Sequence, residues 1–208
     1  AQAINKAAKG MDLNYFWAHA LFVASAARTL ATDNGKVDPE EVFVSGLIHD
    51  LGRLVIEMDC PGLEEHLADV SADKLLDAEA AACGMAHTKA GQKLLSHWKL
   101  PKPLCDTARF HHTTKVFTGK EDPLVSMVAM ADVLSCAHGL RYEHPIDEKD
   151  LRLLIKRTKL DVADVGEILQ KMDSRVLATA QMLGIDEDII EKGRSGPKRK
   201  IVLLSTDT

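Results

Sequence analysis

Aromatic residues are scarce in this chain. Five Phe, two Trp and two Tyr make up 4% of 208 residues. That poverty argues against a β-sandwich or barrel, whose strands are enriched in aromatic and β-branched residues. A long apolar run is also missing: no stretch approaches the ~20 residues needed to span a bilayer, so no membrane association is expected. There is no excess of positive charge. The 26 Lys and Arg are outnumbered by 31 Asp and Glu, for a net charge of −5, which leaves no electrostatic footprint for nucleic acid. The four cysteines, Cys60, Cys83, Cys105 and Cys136, form no CxxC pair, and nothing resembles a secretory leader. They read as buried thiols in a reducing, cytoplasmic setting. The chain begins at Ala1 rather than Met, which is expected of a piece of something longer.

What is present is helical punctuation. Asp12 stands where it can cap a helix to about Asp33, with Phe16, Ala20, Val23, Ala27 and Leu30 at three- and four-residue steps. Asn34-Gly35 ends it. Asp38-Pro39-Glu40-Glu41 joins an N-cap, a first-turn proline and first-turn acids, opening a helix that reaches His49 and is interrupted or bent at Gly52. Further helices are expected from Pro61, from Asp73 or Asp77 to Gly84, over 88–98, over 101–112, and from Asp122-Pro123 to His138. Asp147 and Asp161 cap two more. Residues 193–200 form a basic, breaker-rich linker, and Ile201-Val202-Leu203-Leu204 reads as a short strand or tail. The expected organisation is an all-α domain over 1–192, with 193–208 a linker and tail or the start of a truncated following domain.

The chemistry is carried by an ordered series: His19, His49-Asp50, His87, His111-His112 and Asp132. Imidazole and carboxylate together suit one or two divalent transition-metal ions, whether iron, manganese, zinc or nickel. A carboxylate can bridge two ions, so adjacent His49 and Asp50 could serve one ion and a pair. His19 and Asp132 lie on inward apolar stripes, where a charge is costly unless paired or metal-bound. His111 and His112 reach one centre most easily where their helix unwinds, because adjacent helical side chains diverge by about 100°. His66, His97, His138 and His144 fit no such pattern and read as surface or packing residues.

With these residues in view, the chain resembles the HDOD (HD-related output domain) family of the HD metal-dependent phosphohydrolase superfamily. Phe16-Trp17-Ala18-His19-Ala20 is similar to its opening helix. Val42 to Leu54, containing His49-Asp50-Leu51-Gly52-Arg53, is similar to its central motif. Glu79, Gly84-Met85-Ala86-His87, Gly91, Leu94-Leu95, Trp98 and Leu100-Pro101 match the middle block, and His111-His112 and Ala131-Asp132 complete it.

The resemblance implies an HD-type helical bundle. It also implies a core metal set of His19, His49, Asp50 and Asp132, with His87, His111 and His112 as ligands of a second ion bridged by Asp50. If the chain is an enzyme, Asp50 and Arg53 are its catalytic residues, and metal-bound hydroxide attacks a phosphodiester or nucleotide. Arg53 stands where the related cyclic di-GMP phosphodiesterases keep a lysine. The loop after His112 lacks their acid and GYP sequence. These departures favour a signal-transduction output module, partnered by receiver, GGDEF or EAL domains, by a missing N-terminal helical bundle, or by a second copy of itself. A weaker alternative is a di-iron redox or oxygen sensor.

Overall fold

Asp12 does cap the first helix: its carboxylate accepts the Asn14 and Tyr15 amides at 3.0 and 3.1 Å. In the computed structural model that helix, α1, runs Leu13–Asn34, and Gly35 closes it in the left-handed region at φ 67°. The structure describes residues 11–35, 37–67, 70–71, 74–113, 123–138 and 148–161, and scattered short stretches from 166 to 188. The other helices are α2 (Pro39–Ile48), α3 (Leu51–Asp59), α4 (Leu63–His66), α5 (Leu75–Cys83), α6 (His87–His97), α7 (Lys102–Phe110), α8 (Pro123–His138) and α9 (Glu148–Thr158). No strand occurs among the described residues. The protein is all-α, as expected. The expected cap at Asp147, most of the helix after Asp161 and the tail at 193–208 lie outside the described residues.

The sequence pattern predicts a one-sided apolar stripe on α1. Instead every residue from Ala18 to Ala27 is buried, so α1 is enclosed on all sides. α8 is similar: Leu124 to Ser135 are all buried. These two helices pack together, with α2 on α1 and α9 on α8. Phe22, Leu21, Leu124, Met127, Met130, Leu134 and Leu154 fill this main core. Small residues permit the closest approaches. A Cβ on Gly46 of α2 would lie 2.7 Å from the Ala24 Cα of α1.

The second half is built from short helices, α3 to α7, with α6 packed between α3 and α7. Gly52 does not break a helix here. The break is the turn at His49-Asp50, and Gly52 lies inside α3. Its lack of a side chain serves the α3–α6 crossing: a Cβ there would sit 1.9 Å from the His87 carbonyl oxygen and 2.5 Å from the Gly91 nitrogen. The crossing brings the start of α6 directly against the start of α3.

One cysteine expectation is corrected. Cys60 and Cys83 are not separate buried thiols. They are half-buried and joined as a disulfide, with a Cα–Cα distance of 6.1 Å. Sequence spacing shows nothing of this, because the pairing arises where the C-terminal ends of α3 and α5 converge. Cys105 is buried as expected. The side chain of Cys136 lies outside the described residues.

Candidate metal centre

Seven side chains from separate segments converge where the two halves meet. His19 comes from the middle of α1, and His49 and Asp50 from the α2–α3 turn. His87 is the first residue of α6, His111 and His112 form the turn after α7, and Asp132 lies within α8. All seven side chains are 0–4% exposed. They are the seven expected from the sequence. Of the remaining histidines, His66 and His97 are exposed, as expected.

Asp50 lies at the middle. Its Oδ2 faces His19 Nε2 and His49 Nε2, each at 3.7 Å. Its Oδ1 faces His87 Nε2 at 3.4 Å and His111 Nε2 at 3.3 Å. The two oxygens of one carboxylate thus address two different pairs of imidazoles. Asp132 closes the inner pair, with Oδ1 at 3.4 Å from His19 Nε2, and its Oδ2 lies 3.8 Å from His112 Nδ1. The ligating atoms fall into two groups, each within 4.8 Å: Asp50, His87, His111 and His112, and His19, His49 and Asp132. The turn geometry at 111–112 brings both rings to one place, with centroids 4.1 Å apart.

The outer nitrogens determine what the inner ones can do. His49 Nδ1 lies 2.6 Å from the Gly46 carbonyl, and His111 Nδ1 lies 3.0 Å from that of Thr107. A carbonyl only accepts, so each Nδ1 carries the proton. His87 Nδ1 donates to the Glu79 carboxylate at 2.7 Å. Ser135 donates its hydroxyl to the Asp132 carbonyl at 2.6 Å, leaving its oxygen to accept His19 Nδ1–H at 3.4 Å. In the neutral form of each of these four rings, therefore, Nε2 bears the lone pair and points at the carboxylates. Acceptors facing acceptors in a buried space are unfavourable without a cation. His49 Nε2 and His87 Nε2 have no hydrogen-bond partner among the described residues. The residues fit a metal: neutral imidazoles with fixed tautomers, supported from outside, plus two carboxylates.

Titration directions agree. Burial, reinforced by His111 and His19, outweighs Asp50 and Asp132 and pushes His49 down to about 4. Burial and Arg53 likewise lower His87. Both are neutral, ligand-ready bases near pH 7. Burial alone would raise the Asp50 carboxyl, yet Arg53, ahead of His49, His111 and His87, holds it well below the usual carboxylate range.

Two supporting residues were not singled out as site residues from the sequence. Glu79 accepts both the backbone amide and Nδ1 of His87 and lies 3.7 Å from Arg53. Its visible signal was an acid eight residues before a histidine in an otherwise alanine-rich helix. Ser135, one turn after Asp132, offered no comparable signal. Arg53 is expected as a catalytic group only if the chain is an enzyme. It is 5% exposed, with Nε 2.7 Å from Asp50 Oδ2 and Nη1 directed at Glu79.

Comparison with known proteins shows the family and the fold. The HDOD domain family matches residues 1–114. The chain belongs to the HDOD family. Among solved structures it is similar to an HDOD domain protein of unknown function from Geobacter sulfurreducens, at 26% identity and a TM-score of 0.65, covering 91% of this chain and 66% of that one. A candidate phosphohydrolase from Shewanella amazonensis aligns at 22% identity and TM-score 0.61, covering 90% and 66%. The MmoQ response regulator from Methylococcus capsulatus aligns at 21% and 0.59, covering 78% and 62%. The latter two likenesses speak to fold alone. This HDOD chain spans about two thirds of the length of each of these proteins. None of its described helices is long and apolar enough to cross a membrane.

Proposed function

We propose that this HDOD chain is a regulatory output module of a signalling protein. Its HD-type centre holds one or two divalent transition-metal ions as part of its architecture rather than turning over a phosphodiester. The observation that carries this reading is the position of Arg53. A guanidinium that binds substrate phosphate must present its fork to the incoming anion. Here the fork is buried and directed at Asp50 and Glu79. Its work is to position Asp50. The ligands themselves lie 0–4% exposed, which suits an ion that pins helices together.

His19, His49 and Asp132 would hold one ion, and His87, His111 and His112 a second, with Asp50 between them. A bound ion would supply cross-linking of α1, α3, α6 and α8. Metal affinity would then report on how these helices sit, which is what an output module needs to relay. In a longer protein its partners are domains of receiver, GGDEF or EAL type, an N-terminal helical bundle, or another copy.

Two measurements test the proposal. Elemental analysis of protein purified without chelator should return one to two ions per chain, and a metal-free protein that binds none on titration would overturn the metal assignment. Metal-loaded protein should leave cyclic dinucleotides and generic phosphodiesters intact. Robust turnover that disappears in a folded Asp50→Ala variant would make it a phosphohydrolase instead.

A further inference from the structure

Helix α5 is an unusual support for a metal ligand. Glu79 is its only fully buried residue, at 1% exposure, and Ala80, Ala81 and Ala82 are exposed. Nine residues are also too few for a helix to persist alone, which takes roughly 12–15. α5 is therefore held by attachment. One attachment is polar: Glu79 takes the His87 amide at 2.9 Å and Nδ1 at 2.7 Å. Another is Cys83, four residues on and so on the same face. It meets Cys60 at the end of α3 beside Ile56, Leu63, Ala90 and Met85. Both cysteines are half-buried rather than sealed in the core. An accessible disulfide that ties a short surface helix is of the labile kind.

We propose that Cys60 and Cys83 are a reversible dithiol–disulfide site, oxidised by low-molecular-weight disulfides, whose closed state clamps α5 so that Glu79 holds His87 in place. In the oxidising direction the Cys60 thiolate attacks one sulfur of the small disulfide. A mixed disulfide forms and one thiolate leaves. Cys83 then attacks the Cys60 sulfur and expels the second thiolate. Two protein thiols become one disulfide, one small disulfide becomes two thiols, and the two thiol protons pass to the leaving groups. The same exchange balances whichever of the two sulfurs is attacked first, because the second lies adjacent and resolves the mixed disulfide.

The effect on the centre runs through Glu79. Opening the bridge removes one attachment of α5 and leaves its polar anchor, and loosening Glu79 frees the tautomer and orientation of His87. The coupling is reciprocal: an ion that favours a fixed His87 also favours the closed bridge by the same factor.

The test poises the full chain in glutathione buffers and quenches it with an alkylating agent. Intact mass then gives the fraction bridged, and amide exchange of α5 and of the His87 N–H gives the docking of Glu79. Titration with Co(II), read by its absorption, gives the metal arm. Bridging should be reversible. Reduction should speed exchange at α5 and at the His87 amide by about tenfold, the loss of one anchoring point. Co(II) should bind about tenfold more weakly, the lower end of losing an outer-shell partner. A Cys60→Ser, Cys83→Ser double variant should behave as reduced protein and ignore the buffer. Thiols that stay unpaired throughout, or a bridge whose opening leaves His87 exchange unchanged, would overturn the proposal. The Co(II) arm rests on the metal reading above and the exchange arm does not. Absence of Co(II) binding in both states would therefore sink that reading and leave exchange to decide the clamp.

Discussion

The two ligand groups are held by different physics. His19 and Asp132 sit on α1 and α8, which are buried on every side over ten or more consecutive residues. Packing fixes those backbones, and the Ser135 hydroxyl lies between the two side chains, 3.4 Å from both His19 Nδ1 and Asp132 Oδ1. His87 and His111 sit at the ends of short helices whose outer faces reach solvent, since Lys89, Lys93 and Lys102 are exposed. They are aimed by polar contacts: Glu79 and Arg53 around His87 and Asp50, and helix-end carbonyls on His111. The inner group is thus built by core packing and the outer group by a hydrogen-bond network. Packed cores give way all at once, whereas networks are tuned one partner at a time.

The largest way to break this contrast is Phe22→Ala. Phe22 is 1% exposed in the main core, and its truncation should cost about 3–5 kcal/mol, read by denaturant unfolding. Both ligand groups should be lost in a single transition. Metal binding that weakened smoothly in a still-folded variant would show that packing does not fix the inner group.

Gly52→Ala should come next. The added Cβ would meet the His87 carbonyl at 1.9 Å, a backbone clash worth about 3 kcal/mol. It should open the α3–α6 crossing and expose the outer group while α1 and α8 stay protected, as amide exchange would show. Loss of protection in both halves together would erase the distinction between them.

Acid offers a third probe. Folded His49 titrates near 4 rather than 6.5. Between those values the denatured chain binds the extra proton, so stability is lost as the pH falls through that window. Chelator-treated protein should be about 2 kcal/mol less stable at pH 4.5 than at pH 7. A denaturation midpoint that held constant or rose on acidification would be the wrong sign for a buried neutral imidazole.

The smallest effects concern the supports. Glu79→Gln should weaken metal binding by about 10–100-fold with little change in the unfolding midpoint. Ser135→Ala should weaken it by less, because α1 and α8 hold His19 and Asp132 without that hydroxyl. If calorimetric titration ranked the two the other way, the division between packed and networked groups would fail.

Much of this is legible in the amino-acid sequence. Asp12, Gly35, Asp38 and Pro39 carry their conformational meaning locally, so the first two helices followed directly. The ligand series was legible because buried imidazole and carboxylate have few other uses. Other features were hidden. Gly52 reads locally as a helix breaker, and only the approach of α6 shows that it is a contact point. The Cys60–Cys83 bridge depends on two helix ends converging, and spacing does not encode that.

The amino-acid sequence by itself determined the all-α class, the starts of the first two helices and the seven candidate ligands, because capping, periodicity and residue chemistry act within a few positions of the chain. Only the tertiary structure decided that Asp50 turns one oxygen to each imidazole pair, that Arg53 faces inward, and that Glu79 governs His87. Most of those contacts join side chains carried by different helices and turns, as between Asp50 and His111. Their geometry is set by which helices can approach closely enough to touch.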